Sequence, residues 1–248
     1  MGGSSRPGAG SAAAVVILVL MAALLLHVSH APAADGSEIR SPRWHLFFGT
    51  DWAEHSFFGH GGLVWAPDGD LDHSGWRIRA TGSGGAFDYL AGATAITGEL
   101  LSAELMPGYQ WVKGNAGFAA YAGPTVQDQS TDPYDPGKSG QGTHVGAKAL
   151  VEGWVRIGDR TILNGSASYA SAAESYCARI SVAFDVTREV SLEPEVLALG
   201  EPGYDAQRLG VLIGYRPYRA LQIKIGGGWA HDPDDDGPYA AFQVKLWR

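Results

Sequence analysis

The sequence predicts an all-β protein: an antiparallel up-and-down transmembrane β-barrel of about twelve strands, preceded by a cleavable signal peptide. Three observations predict it. An apolar segment near the N-terminus ends at a small-residue cleavage site, and later segments alternate between apolar and polar residues. The composition is also rich in glycine and aromatic residues, with 35 Gly, 8 Trp and 10 Tyr among 248 residues. In a membrane barrel alternate residues face lipid and lumen, so no long apolar run is needed.

The N-terminal segment has the three parts of a secretory signal. Arg6 is the only charged residue before Asp35, an apolar run extends from Ala12 to Leu26, and Ala31-Pro32-Ala33 offers a small-x-small cleavage site. The run is shorter than the ~20 residues that a membrane-spanning helix needs, which disfavours a permanent anchor. We therefore predict a signal peptide over residues 1–33, a short N-terminal segment over 34–42 and a barrel domain over 43–248.

Charge and cysteine content exclude several classes of protein. The formal net charge is −8 and the basic residues are dispersed, so the chain lacks the basic patch of a nucleic-acid-binding protein. The single cysteine, Cys177, allows no intramolecular disulfide and does not follow the predicted signal as a lipid-anchored cysteine would. The expected location is the bacterial outer membrane, with membrane lipid as the surrounding partner.

Period-two alternation identifies the strands. Leu209, Val211 and Ile213, for example, alternate with Arg208 and Gly210, and a helical period does not fit the segment. Twelve candidate strands lie near residues 43–52, 56–66, 75–87, 95–109, 115–127, 142–156, 160–170, 175–186, 190–200, 204–216, 219–230 and 238–247. Ten strands remain an alternative, because the fourth and fifth candidates alternate least clearly. Residues 127–141 are expected to form a long loop, and residues 67–74 an unusually long turn.

Alternation alone does not separate a membrane barrel from a soluble β-sandwich or lipocalin-like barrel, which would bury its apolar face. The membrane barrel is favoured because Trp and Tyr residues gather near strand ends, as in interfacial girdles. The predicted lumen face also carries charges of both signs, which would cross-pair and fill a narrow lumen. These lumen charges are Arg77, Arg79, Lys148, Glu152, Arg156, Arg179, Asp185, Glu193, Glu195, Arg208, Lys224 and Lys245.

Ordered strings along the chain resemble the cellulose biosynthesis protein BcsS family of outer-membrane proteins. The strings span residues 47–52 (FFGTDW), 60–67 (HGGLVWAP), 107–109 (PGY), 121–128 (YAGPTVQD), 142–149 (GTHVGAKA), 194–200 (PEVLALG) and 228–232 (GWAHD). The resemblance implies a cell-envelope protein associated with cellulose synthesis, with cellulose or the synthesis and export machinery as its partner. It supplies no catalytic residue to carry over.

No motif predicts a catalytic residue, a cofactor or a metal. Gly137-Lys138-Ser139 ends like a phosphate-binding loop, but Asp132 stands where that motif has its first glycine. Asp68, Asp70 and Asp72 open like a calcium loop but lack its glycine and its final glutamate, so a solvated loop is the better interpretation.

Candidate glycan contacts are Asp51, Trp52, His60 and Trp65, although the two tryptophans also fit an interfacial girdle. The predicted function is therefore a non-enzymatic outer-membrane barrel that supports cellulose biosynthesis and secretion as an anchor, assembly or accessory factor. Two alternatives stay open: a generic narrow pore, and an outer-membrane enzyme acting on lipid or glucan.

Overall fold

Twelve antiparallel strands close into one barrel in the computed structural model, which describes residues 41–138, 140–202, 204–232 and 236–248. Each strand pairs with its sequence neighbours, and the last strand pairs with the first. The strands are β1 (Trp44–Ala53), β2 (Ser56–Trp65), β3 (Gly75–Ala91), β4 (Thr94–Lys113), β5 (Ala116–Asp132), β6 (Gly142–Ile157), β7 (Thr161–Ala170), β8 (Ser175–Asp185), β9 (Val190–Glu201), β10 (Tyr204–Tyr218), β11 (Leu221–His231) and β12 (Asp236–Trp247). The predicted barrel of twelve strands is confirmed, and the alternative of ten is wrong. The predicted signal peptide lies outside the described residues.

The alternation in the sequence corresponds to the two faces of the barrel wall. In β10, Leu209 and Ile213 point outward with 64% and 52% of their surface exposed, whereas Arg208 and Leu212 point into the lumen and are 9% and 1% exposed. This inverts the pattern of a soluble barrel, in which the apolar set would be buried. No helix in the described part of the chain is long and apolar enough to cross a membrane.

Strands β4 and β5, which the sequence predicts least clearly, are among the longest, with 20 and 17 residues. The long loop expected over residues 127–141 is therefore shorter than predicted. Its first part continues β5, because Asp132 still pairs with Thr97 of β4 and Gln129 pairs with Gly142 of β6. Residues whose backbone groups have a partner strand on each side remain extended.

Backbone bonds between the first and last strands close the barrel. The N–H groups of Arg43 and Trp44 donate to the Arg248 carbonyl at 2.8 and 3.0 Å. Because the strand number is even, both ends of the described barrel lie on one side, which we call the termini end; the opposite side is the mouth end. Trp247 lies on the lumen face, directly opposite His45 in the register.

The long β2–β3 connection, residues 66–74, lies across the termini end, and we call it the cap. Arg77 is 1% exposed, and its guanidinium donates to the Asp70 carbonyl at 2.9 Å and to the His73 carbonyl. Gln110 of β4 donates to the Leu71 carbonyl at 2.9 Å. Within the cap, burial opposes ionisation of the Asp70 carboxylate, but hydrogen bonds from His73 and Asp72 outweigh it and lower its pKa. The unusually long turn is thus an ordered cap that lumen side chains hold.

Replacement of Gly123 by Ala should destabilise the barrel. A Cβ at this position would lie 2.0 Å from the Leu105 carbonyl oxygen, so the backbone of β4 would have to move. Overpacking of this kind costs about 1–3 kcal/mol. The matched control is Gly82→Ala, because a Cβ there meets its nearest atom only at 3.8 Å. The temperature at which the folded band disappears on detergent gels should fall for Gly123→Ala alone; equal temperatures would contradict the packing shown here.

Replacement of Arg77 by Ala should release the cap. The change removes the donors for two cap carbonyls in a buried setting, and each buried group left unpaired costs about 1–3 kcal/mol. Limited proteolysis of the detergent-solubilised protein should then cut within residues 66–74, while the wild type resists. Arg156→Ala is the control, because Arg156 is an exposed lumen arginine near the same end. Resistance of the Arg77 variant would show that other contacts hold the cap.

Candidate functional site

A cavity of about 1300 Å³ occupies the lumen and extends to the mouth end. Its lining runs from Glu54 and Leu90 at that end to Gln222 and Lys245. Arg77, which binds the cap, does not line it. The cavity therefore extends from the mouth along much of the described lumen.

Apolar side chains fill the lumen beside the cavity. On the β4–β6 side, Met106, Ala119, Tyr121 and Leu150 form a buried cluster, in which Met106 is 0% exposed. A second cluster on the β10–β12 side consists of Leu212, Ala230, Tyr239 and Ala241. A soluble protein has such clusters in its core, and here they are packed inside the barrel.

The lumen charges meet partners from other strands. The pairs are Arg79–Glu152 at 3.2 Å, Lys148–Glu104 at 2.6 Å, Arg179–Glu195 at 3.7 Å, Arg208–Asp51 at 3.7 Å, Lys224–Glu193 and Arg216–Asp185. Burial of a charge is costly unless a partner compensates it, so a narrow lumen with ionised groups requires such pairs. Arg77 instead binds cap carbonyls, and Arg156 lies exposed near the termini end.

Hydroxyl groups add a second donor to several of these carboxylates. Ser181 donates to Glu193 at 2.6 Å, Tyr121 to Glu152 at 3.2 Å and Tyr239 to Glu195 at 3.3 Å. Glu104 is absent from the predicted lumen set, although it is 7% exposed by its side chain and pairs with Lys148. Glu104 is two residues away from both Ser102 and Met106, so all three share one face of the strand, and this spacing could have placed Glu104 in the lumen. Glu99 lies on the opposite face and made the alternation of β4 harder to recognise.

The four predicted glycan contacts do not form one site. Asp51 and His60 lie on the lumen face of β1 and β2 and both line the cavity. Trp52 points outward and packs against Phe57, with ring centroids 5.5 Å apart. Trp65 also points outward, and it lies at the termini end because it pairs with Trp44. Because side chains alternate between the two faces of a strand, Trp52 points away from the lumen that its neighbour Asp51 faces. Strand β2 runs back from the mouth end, so Trp65 lies at the opposite end of the barrel from Trp52.

Inward-facing aromatic rings lie over glycines of the adjacent strand. A Cβ on Gly49 would come within 2.5 Å of the His60 ring, and a Cβ on Gly85 within 2.3 Å of the Phe58 ring. A Cβ on Gly98 would likewise come within 2.3 Å of the Phe87 ring. Because glycine has no side chain, each ring can lie against the wall and leave space in the lumen. We call these contacts the ring–glycine pairs.

Three inward rings near the mouth end stack into a series, which we call the aromatic ladder: Phe58, Phe87 and Tyr89. The centroids of Phe58 and Phe87 are 6.4 Å apart with an interplanar angle of 16°, and those of Phe87 and Tyr89 are 6.0 Å apart at 22°. All three line the cavity. The Lys138 ammonium lies 5.4 Å from the Phe87 centroid and 3.8 Å from a Glu201 carboxylate oxygen of β9. The sequence analysis did not predict the ladder, although the period-two alternation places all three residues on the lumen face.

Hydrogen bonds hold the β5–β6 connection beside the ladder. The Tyr89 hydroxyl donates to the Asp135 carboxylate at 2.8 Å, and the Asp135 N–H donates to the Thr131 hydroxyl at 3.1 Å. The Tyr89 hydroxyl and the Gly137 N–H stabilise the charged form of Asp135 and hold the pKa of its carboxyl below the ordinary value. Asp135 thus fixes the described part of this connection against β3.

Within the described part of the chain, the His60 imidazole forms no hydrogen bond with the Ser83 hydroxyl. His60 lies over Gly49 of β1, whereas the hydroxyl of Ser83, its register partner in β3, is 2.7 Å from that of Ser102. Nucleophilic catalysis requires the imidazole beside the hydroxyl that it activates. Among the described residues, no group of three His, Cys, Asp or Glu side chains could hold a metal ion.

Two solved structures with a similar fold are outer-membrane channels. The COG4313 outer membrane channel from Pseudomonas putida F1 has a TM-score of 0.55 and 10% identity, over 88% of this chain and 100% of that one. The TodX deltaS2S3 mutant monoaromatic hydrocarbon channel has a TM-score of 0.53 and 8% identity, over 83% of this chain and 89% of that one. At such identities the likeness shows the fold alone. No curated relative matches the sequence.

The family comparison is more specific than the likeness in fold. The family model described as cellulose biosynthesis protein BcsS matches residues 45–248. The match covers all twelve strands of the barrel except Trp44 and includes each of the ordered strings that carry the resemblance. The chain belongs to the BcsS family of cellulose biosynthesis proteins.

Proposed function

We propose that the protein is a non-enzymatic outer-membrane barrel that supports cellulose biosynthesis and secretion as an accessory factor. The observation that carries the proposal is a lumen occupied by buried apolar clusters and cross-strand ion pairs, in a chain whose family is named for cellulose biosynthesis. Such a lumen favours a role in anchoring, assembly or binding over a role in bulk transport. The predicted signal peptide would deliver the chain to the outer membrane, with the mouth end facing outward.

The size and filling of the lumen argue against a conduit for polymer. Barrels with a free aqueous channel usually have about 16–18 strands. In this twelve-stranded barrel, Met106 and Leu212 are fully buried inside the lumen, and the ion pairs join side chains across it. A polymer chain could pass only if these groups rearranged.

The pairing of the lumen carboxylates argues against an enzyme that cleaves lipid or glucan. Glycoside hydrolysis uses two carboxyl groups, one of them protonated to act as an acid. Asp51, Glu104 and Glu152 line the cavity, and each forms an ion pair with an arginine or lysine. Such carboxylates are suited to holding the lumen together.

Lipid is the partner that the outer surface favours. Exposed apolar side chains cover the wall, including Val145, Ile180, Leu209 and Ile225 at 79%, 61%, 64% and 61% exposure. An apolar surface of this extent is stable only in contact with lipid or another protein. The cellulose chain or the synthesis and export machinery would then be met at the barrel ends.

Deletion of the gene should lower or alter cellulose output in a strain that makes cellulose, and the wild-type gene should restore it. Cellulose is measured by hydrolysis of the washed extracellular matrix, because dye binding alone also reports other polymers. The protein should fractionate with the outer membrane and change mobility on boiling in detergent. Unchanged cellulose together with altered uptake of small solutes would instead support the narrow pore.

Planar bilayers should show little steady conductance for the wild-type protein, because the cap lies across the termini end and side chains narrow the lumen. Arg77→Ala should raise the conductance by releasing the cap, and Arg156→Ala should leave it low. Steady conductance of the wild type that scales with salt would contradict the proposal and identify an open pore.

A further inference from the structure

We infer that the mouth part of the lumen cavity is a binding site for a neutral, extended oligosaccharide. Its sugar rings would stack on the aromatic ladder of Phe58, Phe87 and Tyr89, and its hydroxyls would bond to the uncharged polar side chains of the cavity wall. The inference rests on the proposed function, which it deepens by naming the class of ligand. The Lys138 side chain, whose ammonium lies 5.4 and 5.6 Å from the Phe87 and Tyr89 centroids, would move aside while the strands stay in place.

The aromatic ladder offers ring faces where the membrane does not require them. Aromatic residues of a girdle point outward, as Trp52 and Phe57 do at the same end of the barrel. Phe58, Phe87 and Tyr89 point inward, and the ring–glycine pairs hold Phe58 and Phe87 against the wall. The C–H faces of sugar rings are apolar and match such flat surfaces. Successive rings about 6 Å apart suit a ligand that extends along the lumen.

The cavity wall carries uncharged hydroxyls and an amide beside its ion pairs. These uncharged groups belong to Ser83, Ser102, Thr125, Gln127, Ser166 and Ser168, which come from strands β3, β4, β5 and β7. Gln127 is 8% exposed, and its amide nitrogen has no hydrogen-bond partner among the described residues. A buried donor without a partner is costly and uncommon in folded proteins. A rotation of the Gln127 side chain toward the cavity would let a ligand hydroxyl supply the missing acceptor.

Charge pairing makes a neutral ligand the best fit. Most of the ionised groups that border the cavity form ion pairs, as in Asp51–Arg208, Glu104–Lys148 and Arg79–Glu152. A charged sugar would compete with these pairs, whereas a neutral sugar can bond beside them. An aliphatic or aromatic hydrocarbon would use the ladder but would leave the hydroxyl wall unpaired.

The size and shape of the cavity favour a chain over a single sugar. Its volume of about 1300 Å³ exceeds the range of about 300–1,000 Å³ typical of small-molecule sites. The lining extends from the mouth residues Glu54 and Leu90 to Lys245 near the other end. Because the cavity extends to the mouth, a chain would enter from that end.

The test is isothermal titration calorimetry on the purified mature barrel in detergent, with cellohexaose as the probe. Saturable binding is expected for the wild type. Phe58→Leu and Phe87→Leu keep an apolar side chain but remove the ring face, and each should weaken binding by about tenfold. The matched control is Phe57→Leu, since Phe57 adjoins Phe58 but faces outward; its affinity should equal that of the wild type. The gel shift on boiling confirms that each variant is folded.

Comparison ligands identify the chemical class of molecule that binds in the cavity. Maltohexaose tests neutral sugars of another linkage, oligogalacturonate tests charged sugars, and toluene tests hydrocarbons. Binding of a neutral oligosaccharide that depends on Phe58 and Phe87 supports the inference. Absence of binding by both neutral probes, preference for oligogalacturonate or toluene, or equal loss in Phe57→Leu would overturn it.

The proposed function and this inference can fail separately. Lower cellulose on deletion, together with no binding of either neutral probe, would leave the accessory role and remove the lumen site. Ladder-dependent binding with normal cellulose output would keep the site and remove the link to cellulose. Complementing the deletion with variants tests the proposed function and the binding site together. The Phe87→Leu variant is expected to restore less cellulose than the wild-type gene, whereas Phe57→Leu is expected to restore it fully.

Discussion

The pairing of β1 with β12 is the constraint on which the structure depends. A sheet edge in lipid would leave N–H and C=O groups without partners, so a membrane sheet must close on itself. Here the register from His45–Trp247 to Ala53–Tyr239 removes the last free edge. Closure sorts every strand residue to an inner or outer face, and the even strand number brings both ends of the described barrel to one side. The alternation of apolar and polar residues in the sequence is a direct consequence of these two faces.

Closure with twelve strands then determines how the interior is used. The lumen is wide enough to hold a cavity of about 1300 Å³ but too narrow to keep a dozen ionised side chains hydrated apart. The charges therefore pair across strands, as in Arg79–Glu152, and apolar clusters fill the rest. The two ends of the barrel differ. Arg77 holds the cap across the termini end, whereas rings lying on glycines leave space in the lumen near the mouth.

The sequence predicts which residues face the lumen or the lipid more reliably than it predicts the structure at the two ends of the barrel. Parity alone places Arg208 and Lys224 in the lumen, and both are found paired there. The cap was visible only as an unexpectedly long turn, because Arg77 binds it through backbone carbonyls that no side-chain pattern records. The candidate glycan contacts were grouped because they are close in sequence. Trp52 and His60 nevertheless lie on opposite faces of the barrel wall. The extent of β5 was underestimated because its pairing with neighbouring strands, more than its own composition, keeps it extended.

The ring–glycine pairs also bear on how the family can diversify. Each pair takes up space inside the lumen through one side chain and leaves the backbone of both strands unchanged, as Phe87 does over Gly98. Exchange of such a ring for a smaller residue would widen the bore locally without a change in strand number or register. Relatives with the same wall could therefore accept ligands of different thickness. The barrel separates the part of the sequence that specifies the fold from the few positions that set its internal diameter.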